Sequence, residues 1–187
     1  MSERFVVITG GPGAGKSSLI DALAADGFPV VAEAGRDIIR DQMARGGTAL
    51  PWIDPAAFAQ AMLDHDIAAY TQCAQRADGS LVFFDRGVVD IVGYLTLTGL
   101  PIPPALDRAA RSLRYRPQVF IAPAWREIYA QDTERKQDFD EARRTEAAMR
   151  EVYPRYGYTL IDLPRASVAE RTTFIRRACG AEPSSVP

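Results

Sequence analysis

The chain has 187 residues, of which 47% are hydrophobic and 25% are charged, and its formal net charge is -2. This composition predicts a soluble, cytoplasmic globule with one core, without the ~20 consecutive apolar residues of a membrane span and without the basic charge that would favour nucleic acid as a partner. The two cysteines form no Cys-x-x-Cys pair and the chain has one histidine, which argues against a zinc site of the usual Cys/His type. That histidine lies between Asp64 and Asp66, but sequence neighbours on a helix point in different directions, so the triplet is not expected to bind a metal.

Short apolar runs alternate with helical patterns along the chain. The runs at residues 5–9 and 81–84 are almost continuously apolar, which is typical of strands buried on both faces of a parallel sheet. Predicted strands cover residues 5–9, 28–32, 81–84, 119–122 and 158–163. This alternation predicts an α/β fold with a mostly parallel sheet.

Helices are predicted between the strands, where apolar residues recur at helical spacing and glycine or proline marks the ends. Predicted helices cover about residues 17–25, 34–44, 55–76, 88–98, 105–115, 125–150 and 168–178. In the second helix, Ile38, Ile39 and Met43 are expected to face the core. No linker or repeat divides the chain, so residues 1–180 are predicted to form one domain, followed by a disordered tail at 181–187.

A glycine-rich segment follows the first predicted strand. Residues 10–17 read GGPGAGKS, a full match to G-x-x-x-x-G-K-[ST], and an amphipathic helix follows. The glycines let the backbone turn tightly and point N–H groups at phosphate oxygens, and the helix start adds its positive dipole end. The segment is therefore predicted to bind a nucleoside triphosphate through Gly11, Pro12, Gly13, Ala14, Gly15, Lys16, Ser17 and Ser18.

Two side chains of this loop carry the chemistry. Lys16 is expected to contact the β and γ phosphates as a point charge. The hydroxyl of Ser17 is expected to be a ligand of Mg²⁺.

Several segments resemble known families. GGPGAGKSS resembles the loop of small-molecule kinases such as adenylate, thymidylate and nucleoside kinases, and Asp85-Arg86 resembles the acid-arginine pair that these kinases carry after strand three. Residues 33–36, EAGR, resemble the Glu-x-x-Arg of nicotinamide riboside kinases. From VVITGGPGAGKS through EIYAQDTERKQDF to GYTLIDLP, over about residues 4–177, the chain resembles a group of short bacterial P-loop proteins described as predicted ATPases.

The resemblance implies a P-loop three-layer sandwich with strand order 2-3-1-4-5 and helices on both faces of the sheet. Strand three would then lie beside the strand that leads into the loop. Asp85 would lie next to Ser17, where it could hold Mg²⁺. The alternative is that Asp85 caps the helix that begins at Val88.

The carboxyl end of the second strand is the predicted acceptor side. Glu33 is expected to orient or deprotonate an acceptor hydroxyl, the alternative being a cap or a solvated helix start. Arg36 and Arg40 would share its helix face, either to bind the acceptor or to form surface ion pairs. Arg86 is expected to contact the transferring phosphoryl group, because its planar fork suits phosphate oxygens.

A charged segment at about 124–146 is the candidate lid. In kinases of this type, a mobile segment between strands four and five covers the triphosphate, and its arginines neutralise charge in the transition state. Arg135 is predicted to be catalytic and Arg126 to bind the nucleotide. The alternative is a solvated surface helix.

Two functions of different classes follow. The first is an Mg²⁺-dependent phosphotransferase that binds ATP, or alternatively GTP, and acts on a small molecule, for which the resemblance favours a nucleoside or nucleotide. The second is a regulatory NTPase that acts through a protein partner. A GTPase is disfavoured, because the chain has no [NT]-K-x-D stretch and because Asp90 and Gly93, which fit Asp-x-x-Gly, lie beyond the third strand. The sequence does not indicate the oligomeric state.

Overall fold

A five-stranded parallel sheet forms the centre of the fold. The computed structural model describes residues 3–76, 79–129 and 138–181. The strands are β1 (Phe5–Gly10), β2 (Val30–Val31), β3 (Val82–Asp85), β4 (Gln118–Ala122) and β5 (Thr159–Asp162). All described pairs are parallel and the strand order is β2-β3-β1-β4-β5, so the predicted order is confirmed.

Helices cover both faces of the sheet. They are α1 (Lys16–Ala25), α2 (Ala34–Arg45), α3 (Pro55–Ala74), α4 (Val88–Thr98), α5 (Pro104–Ser112), α6 (Phe139–Arg155) and α7 (Val168–Cys179). None of these helices is both long and apolar enough to cross a membrane.

The alternation of side chains along the strands divides the core into two layers. Phe5 and Val7 point to one side of the sheet, where α3, α4, α5 and α6 pack. Val6 and Ile8 point to the other, where α1 and α7 pack. All four side chains are fully buried, which explains why β1 has a continuously apolar sequence rather than an alternating one.

Two predicted elements differ from the observed ones at the edge of the sheet. β2 has two residues instead of five, because Pro29 has no N–H to donate and contributes only its carbonyl, which accepts from the amide of Phe83 at 3.0 Å. Met43 on α2 is 64% exposed, so its predicted burial is wrong. α2 packs along α3, and Ile39 rather than Met43 faces that helix.

The predicted helix at 125–150 begins later than expected. Residues 123–129 form a turn-containing loop, and α6 begins after Asp138, whose carboxylate accepts from the amide of Glu141 at 2.7 Å. This side-chain cap and the acidic first turn determine the start of the helix. The middle of the predicted lid, residues 130–137, and residues 182–187 of the predicted tail lie outside the described residues.

Gly10 is the point where β1 approaches β4 most closely. Its φ is +132°, and a Cβ atom there would lie 2.3 Å from the carbonyl oxygen of Ala122. We expect Gly10→Ala to lower the free energy of unfolding by about 3 kcal/mol, because backbone has to move to admit the methyl group.

Gly27→Ala is the matched control, because Gly27 also has a positive φ, +88°, but has nothing within 4 Å of its built Cβ. It should cost only the left-handed backbone penalty of about 1 kcal/mol. Urea unfolding of both variants measures the difference, and equal losses would contradict the close approach of Gly10 to Ala122.

Candidate functional site

The phosphate loop connects β1 to α1 at the carboxyl edge of the sheet. Gly13 and Gly15 have positive φ values of 69° and 74°, which glycine adopts without strain. Lys16 is 6% exposed, and its ammonium group donates to the carbonyl oxygen of Gly11 at 2.8 Å. Burial and, after it, the charge of Arg86 lower the pKa of Lys16 to about 8. Ser17 and Ser18 are exposed at the start of α1.

Neighbouring elements fit closely against this loop. A Cβ atom at Gly11 would lie 2.3 Å from the carbonyl oxygen of Ala142 on α6, and one at Gly13 would lie 2.6 Å from the ring of Tyr129. The close approach of α6 and of the segment after β4 leaves no room for side chains at these positions. The glycines of the motif are therefore required by packing as well as by conformation.

Arg171 on α7 supports the loop from the opposite side. Its side chain is 2% exposed, and both terminal nitrogens donate to the carbonyl oxygen of Ala14 at 3.2 Å. Burial lowers the pKa of Arg171. This contact fixes one carbonyl group of the loop, and sequence reasoning did not identify it, because nothing in the pattern of α7 distinguishes Arg171 from its other arginines.

Arg86 forms the centre of a charged cluster between β3 and α4. Its Nε donates to Oε1 of Glu33 at 3.2 Å, and its Nη1 donates to Oδ1 of Asp90 at 3.1 Å. Although burial opposes it, the charges of Glu33 and Asp90 raise the pKa of Arg86. Among the described residues other than glycine, Arg86 alone has a positive φ, 74°. Such a conformation costs about 1–3 kcal/mol and persists where surrounding contacts impose it.

Asp90 accepts four hydrogen bonds and connects three elements. Oδ1 accepts from the hydroxyl of Thr9 on β1 at 2.5 Å and from Arg86, while Oδ2 accepts from the amide of Gly87 at 3.0 Å and from the hydroxyl of Tyr153 on α6 at 2.5 Å. Asp90 lies within α4 rather than directly after β3, so its match to Asp-x-x-Gly is not at the place where that motif occurs. Asp90 follows Arg86 by four residues near the predicted helix start, a spacing that could have indicated an ion pair.

Asp85 ends the strand that lies beside β1, in the strand order that the resemblance implies. β3 pairs with β1, with Asp85 opposite Ile8, so Asp85 ends beside the strand that leads into the phosphate loop. It is 5% exposed, and its Oδ1 has no hydrogen-bond partner. Burial raises the pKa of Asp85 to about 6, against the opposing charge of Lys16. The alternative role as a helix cap is wrong, because Gly87 is the N-cap residue of α4 and Asp90 accepts from its amide.

The donor set at this edge fits Mg²⁺. The unpartnered carboxylate oxygen of Asp85 and the exposed hydroxyl of Ser17 are oxygen ligands of the kind that Mg²⁺ prefers. Within the described ranges, no group of three or more His, Cys, Asp or Glu residues could hold a metal. A magnesium ion here would therefore take most of its ligands from phosphate and water.

A cavity of about 830 Å³ opens beside the charged cluster and the phosphate loop. Its walls come from α2, α3, α4 and α6, and Pro12 of the loop lies at its rim. Along α4 the lining passes from Asp90 through Tyr94 to Leu97, about 10 Å further along the helix axis. The apolar lining includes Ile39, Trp52, Phe58, Met62, Tyr94 and Met149. The cavity thus leads from charged groups at the sheet edge to an apolar interior.

The remaining predicted residues are placed as follows. Arg36 lies 3.8 Å from Oε2 of Glu33, whereas Arg40 pairs with Asp37 on the surface, and neither is among the described residues that line the cavity. The guanidinium of Arg126 lies over the ring of Phe139, 4.9 Å from its centre. Arg135 lies outside the described residues. Glu33 is the N-cap residue of α2, but its side chain caps nothing and turns to Arg86 instead.

Asp66 is a cavity residue that the sequence indicated only as a neighbour of His65. It follows Phe58 and Met62 at intervals of four on α3 and lines the same wall. A carboxylate on an otherwise buried helix face is the signal that could have identified it. Burial raises the pKa of Asp66.

We expect Asp90→Asn to destabilise the fold by about 3 kcal/mol or more. The substitution removes the negative charge that faces Arg86, and it replaces one carboxylate oxygen by an NH₂ group, which cannot accept from the two donors that face it. Asp41→Asn removes a carboxylate from an exposed pair with Arg45 and should change stability far less. Urea unfolding checks both. Equal losses would show that the Asp90 network contributes no more than a surface ion pair.

The fold resembles that of several solved structures. Deoxyadenosine kinase from M. mycoides, with the products dCMP and a flexible dCDP bound, superposes with a TM-score of 0.64 at 12% identity over 95% of this chain and 100% of that one. Thymidylate kinase from Candida albicans gives 0.66 at 11% identity over 95% and 91%. The NadR protein in complex with NR gives 0.70 at 17% identity over 99% of this chain and 54% of NadR. These likenesses show the fold, which is that of P-loop kinases.

Sequence comparison identifies the family. No curated protein sequence matches the chain. The family model AAA_28, described as an AAA domain, matches residues 5–171. The chain therefore belongs to the AAA_28 family of AAA domains.

Proposed function

We propose that the chain is an Mg²⁺-dependent, ATP-binding phosphotransferase that acts on a small molecule, a nucleoside or a nucleotide. The observation that carries this proposal is the cavity of about 830 Å³ beside the phosphate loop, with Glu33 and Arg86 in its lining. A protein that only switches between nucleotide states has no need of such a cavity. Family membership, the fold and the loop sequence support a triphosphate as the donor.

The donor is held by the loop of residues 10–17. Its backbone amides and the start of α1 supply fixed positive ends of dipoles for phosphate oxygens. Lys16 exchanges its bond with the Gly11 carbonyl for the β and γ phosphates, whose negative charge favours the ammonium form against the burial that lowers its pKa to about 8. GTP would make the same phosphate contacts as ATP.

Ser17 and Asp85 would hold Mg²⁺ beside the loop. When bound, the ion neutralises charge on the β and γ phosphates. The orphaned oxygen of Asp85 supports this assignment, because a buried carboxylate oxygen without a partner is costly unless a ligand supplies one.

Glu33 and Arg86 act on the transfer itself. The acceptor oxygen forms a bond to the γ phosphorus, the bond to the β–γ bridging oxygen breaks, and ADP leaves. The acceptor proton passes to the carboxylate of Glu33, which the ion pair with Arg86 holds in place. Arg86 faces the transferring group through its remaining N–H donors. Arg135 and Arg126 stay predictions for the closure of the site.

Measuring ATP consumption with Mg²⁺ across nucleosides, nucleoside monophosphates and other ribosides tests the proposal. A product heavier than one acceptor by a phosphoryl group supports the kinase. Slow release of ADP that no acceptor changes would contradict it and favour the regulatory ATPase.

Lys16→Ala is expected to abolish triphosphate binding, because it removes the cation that faces the β and γ phosphates. Arg45→Ala removes one exposed positive charge from α2 and is the matched control. Titration calorimetry with a non-hydrolysable ATP analogue measures both. Wild-type affinity of Lys16→Ala would refute the loop assignment.

Glu33→Gln is expected to leave ATP affinity unchanged and to lower the rate of transfer by ~10²-fold or more, because the amide cannot accept the acceptor proton. Single-turnover kinetics separate the transfer step from product release. Asp37→Asn, on the exposed face of the same helix, is the control. An unchanged transfer rate would exclude Glu33 as the base.

A further inference from the structure

We propose that the acceptor is an unphosphorylated compound, neutral or cationic, whose planar ring enters the apolar part of the cavity, and that Asp66 selects it. This inference rests on the proposed function and decides between its two substrate classes, nucleoside and nucleotide.

The charge of the lining is unfavourable to an anionic acceptor. Among the described lining residues there are five carboxylates, Glu33, Asp66, Asp85, Asp90 and Glu141, against two guanidinium groups, Arg86 and Arg144. If the acceptor carried a phosphate group, that group would be desolvated on entering the cavity and would face mostly negatively charged side chains.

The two guanidinium groups are placed for other partners. Arg86 already pairs with Glu33 and Asp90, so its charge is compensated within the protein. Arg144 lies on α6 two residues after Ala142, whose carbonyl oxygen approaches Gly11 of the phosphate loop. Its side chain is exposed and shares a helix face with Glu141, three residues earlier, so its charge lies next to a carboxylate of the same lining.

The apolar wall suits a planar ring. The rings of Phe58 and Tyr94 meet edge to face with centroids 5.7 Å apart, and Met62 packs beside them. Trp52, 59% exposed, adds a further ring to the lining. Aromatic and methionine side chains form a surface that packs against a flat heterocycle.

Two polar side chains lie on this wall, Asp66 and Tyr94. The side chain of Asp66 is 16% exposed, its sequence neighbour His65 lies 3.5 Å away, and the carboxylates of Glu33 and Asp90 are close enough to act on its charge. The hydroxyl of Tyr94 is buried without a hydrogen-bond partner. A carboxylate accepts from N–H or O–H donors or pairs with a positive charge, and it repels a phosphate. Asp66 therefore discriminates by charge as well as by hydrogen bonding.

Pairs of ligands that differ only in the 5′ phosphate test the inference on the full chain. Adenosine, cytidine, thymidine and a cationic pyridinium riboside, each with its monophosphate, are compared in two assays. Calorimetry without ATP gives the dissociation constant, and product mass with ATP and Mg²⁺ gives kcat/KM. We expect the unphosphorylated member of the preferred pair to bind at least ~10-fold more tightly and to be used at least ~10²-fold better.

Asp66→Asn and Asp64→Asn form the matched variants, since both lie on α3 and Asp64 is exposed and bonded to Gln60. Asp66→Asn should raise KM for the preferred acceptor by ~10-fold or more. The ratio of kcat/KM for that acceptor to kcat/KM for its monophosphate should fall, and the affinity for ATP should be unchanged. Asp64→Asn should change neither.

The outcomes separate the two proposals. Preference for the monophosphate, or binding of neither member of any pair, overturns this inference. Transfer to a monophosphate leaves the proposed function intact, whereas absence of transfer to every acceptor refutes the proposed function. In that last case the binding comparison on the wild-type chain still decides the inference, and it requires no variant to fold.

Discussion

The buried carboxylate of Asp90 is the interaction on which the site depends. It accepts from Thr9 on β1, from Gly87 and Arg86 at the start of α4, and from Tyr153 on α6, so one side chain joins the sheet to two helices. Arg86 keeps its left-handed backbone because Asp90 and Glu33 hold its guanidinium from two sides. The ion pair with Arg86 also fixes the side chain of Glu33, which is the N-cap residue of α2, and so ties the start of that helix to the cluster.

A second constraint is the close packing around the phosphate loop. Backbone of α6 at Ala142, the ring of Tyr129 and the side chain of Arg171 surround it. These contacts hold the loop in one shape. The cavity, by contrast, is lined in part by the long, flexible side chains of Met62 and Met149, which can adopt other rotamers.

Much of the fold could be predicted from the sequence, because its signals are local. Short runs rich in apolar residues identified the strands, and residues 10–17 identified the loop. The sheet order came from resemblance, since pairing between distant strands leaves no local pattern. The length of β2, the exposure of Met43 and the partners of Asp66 depend on which elements pack against them, and no pattern along one helix or strand supplies that information.

The bond between Arg171 and Ala14 joins residues 157 positions apart in the chain. During synthesis the phosphate loop leaves the ribosome well before α7, which supplies the side chain that fixes its carbonyl. The loop can reach its final shape only after the strands between have formed and α7 has packed against α1. A nascent chain that lacks α7 would expose Leu19, Leu23 and their neighbours on that face of the sheet, so this apolar face is open to aggregation or to chaperones while the chain is incomplete.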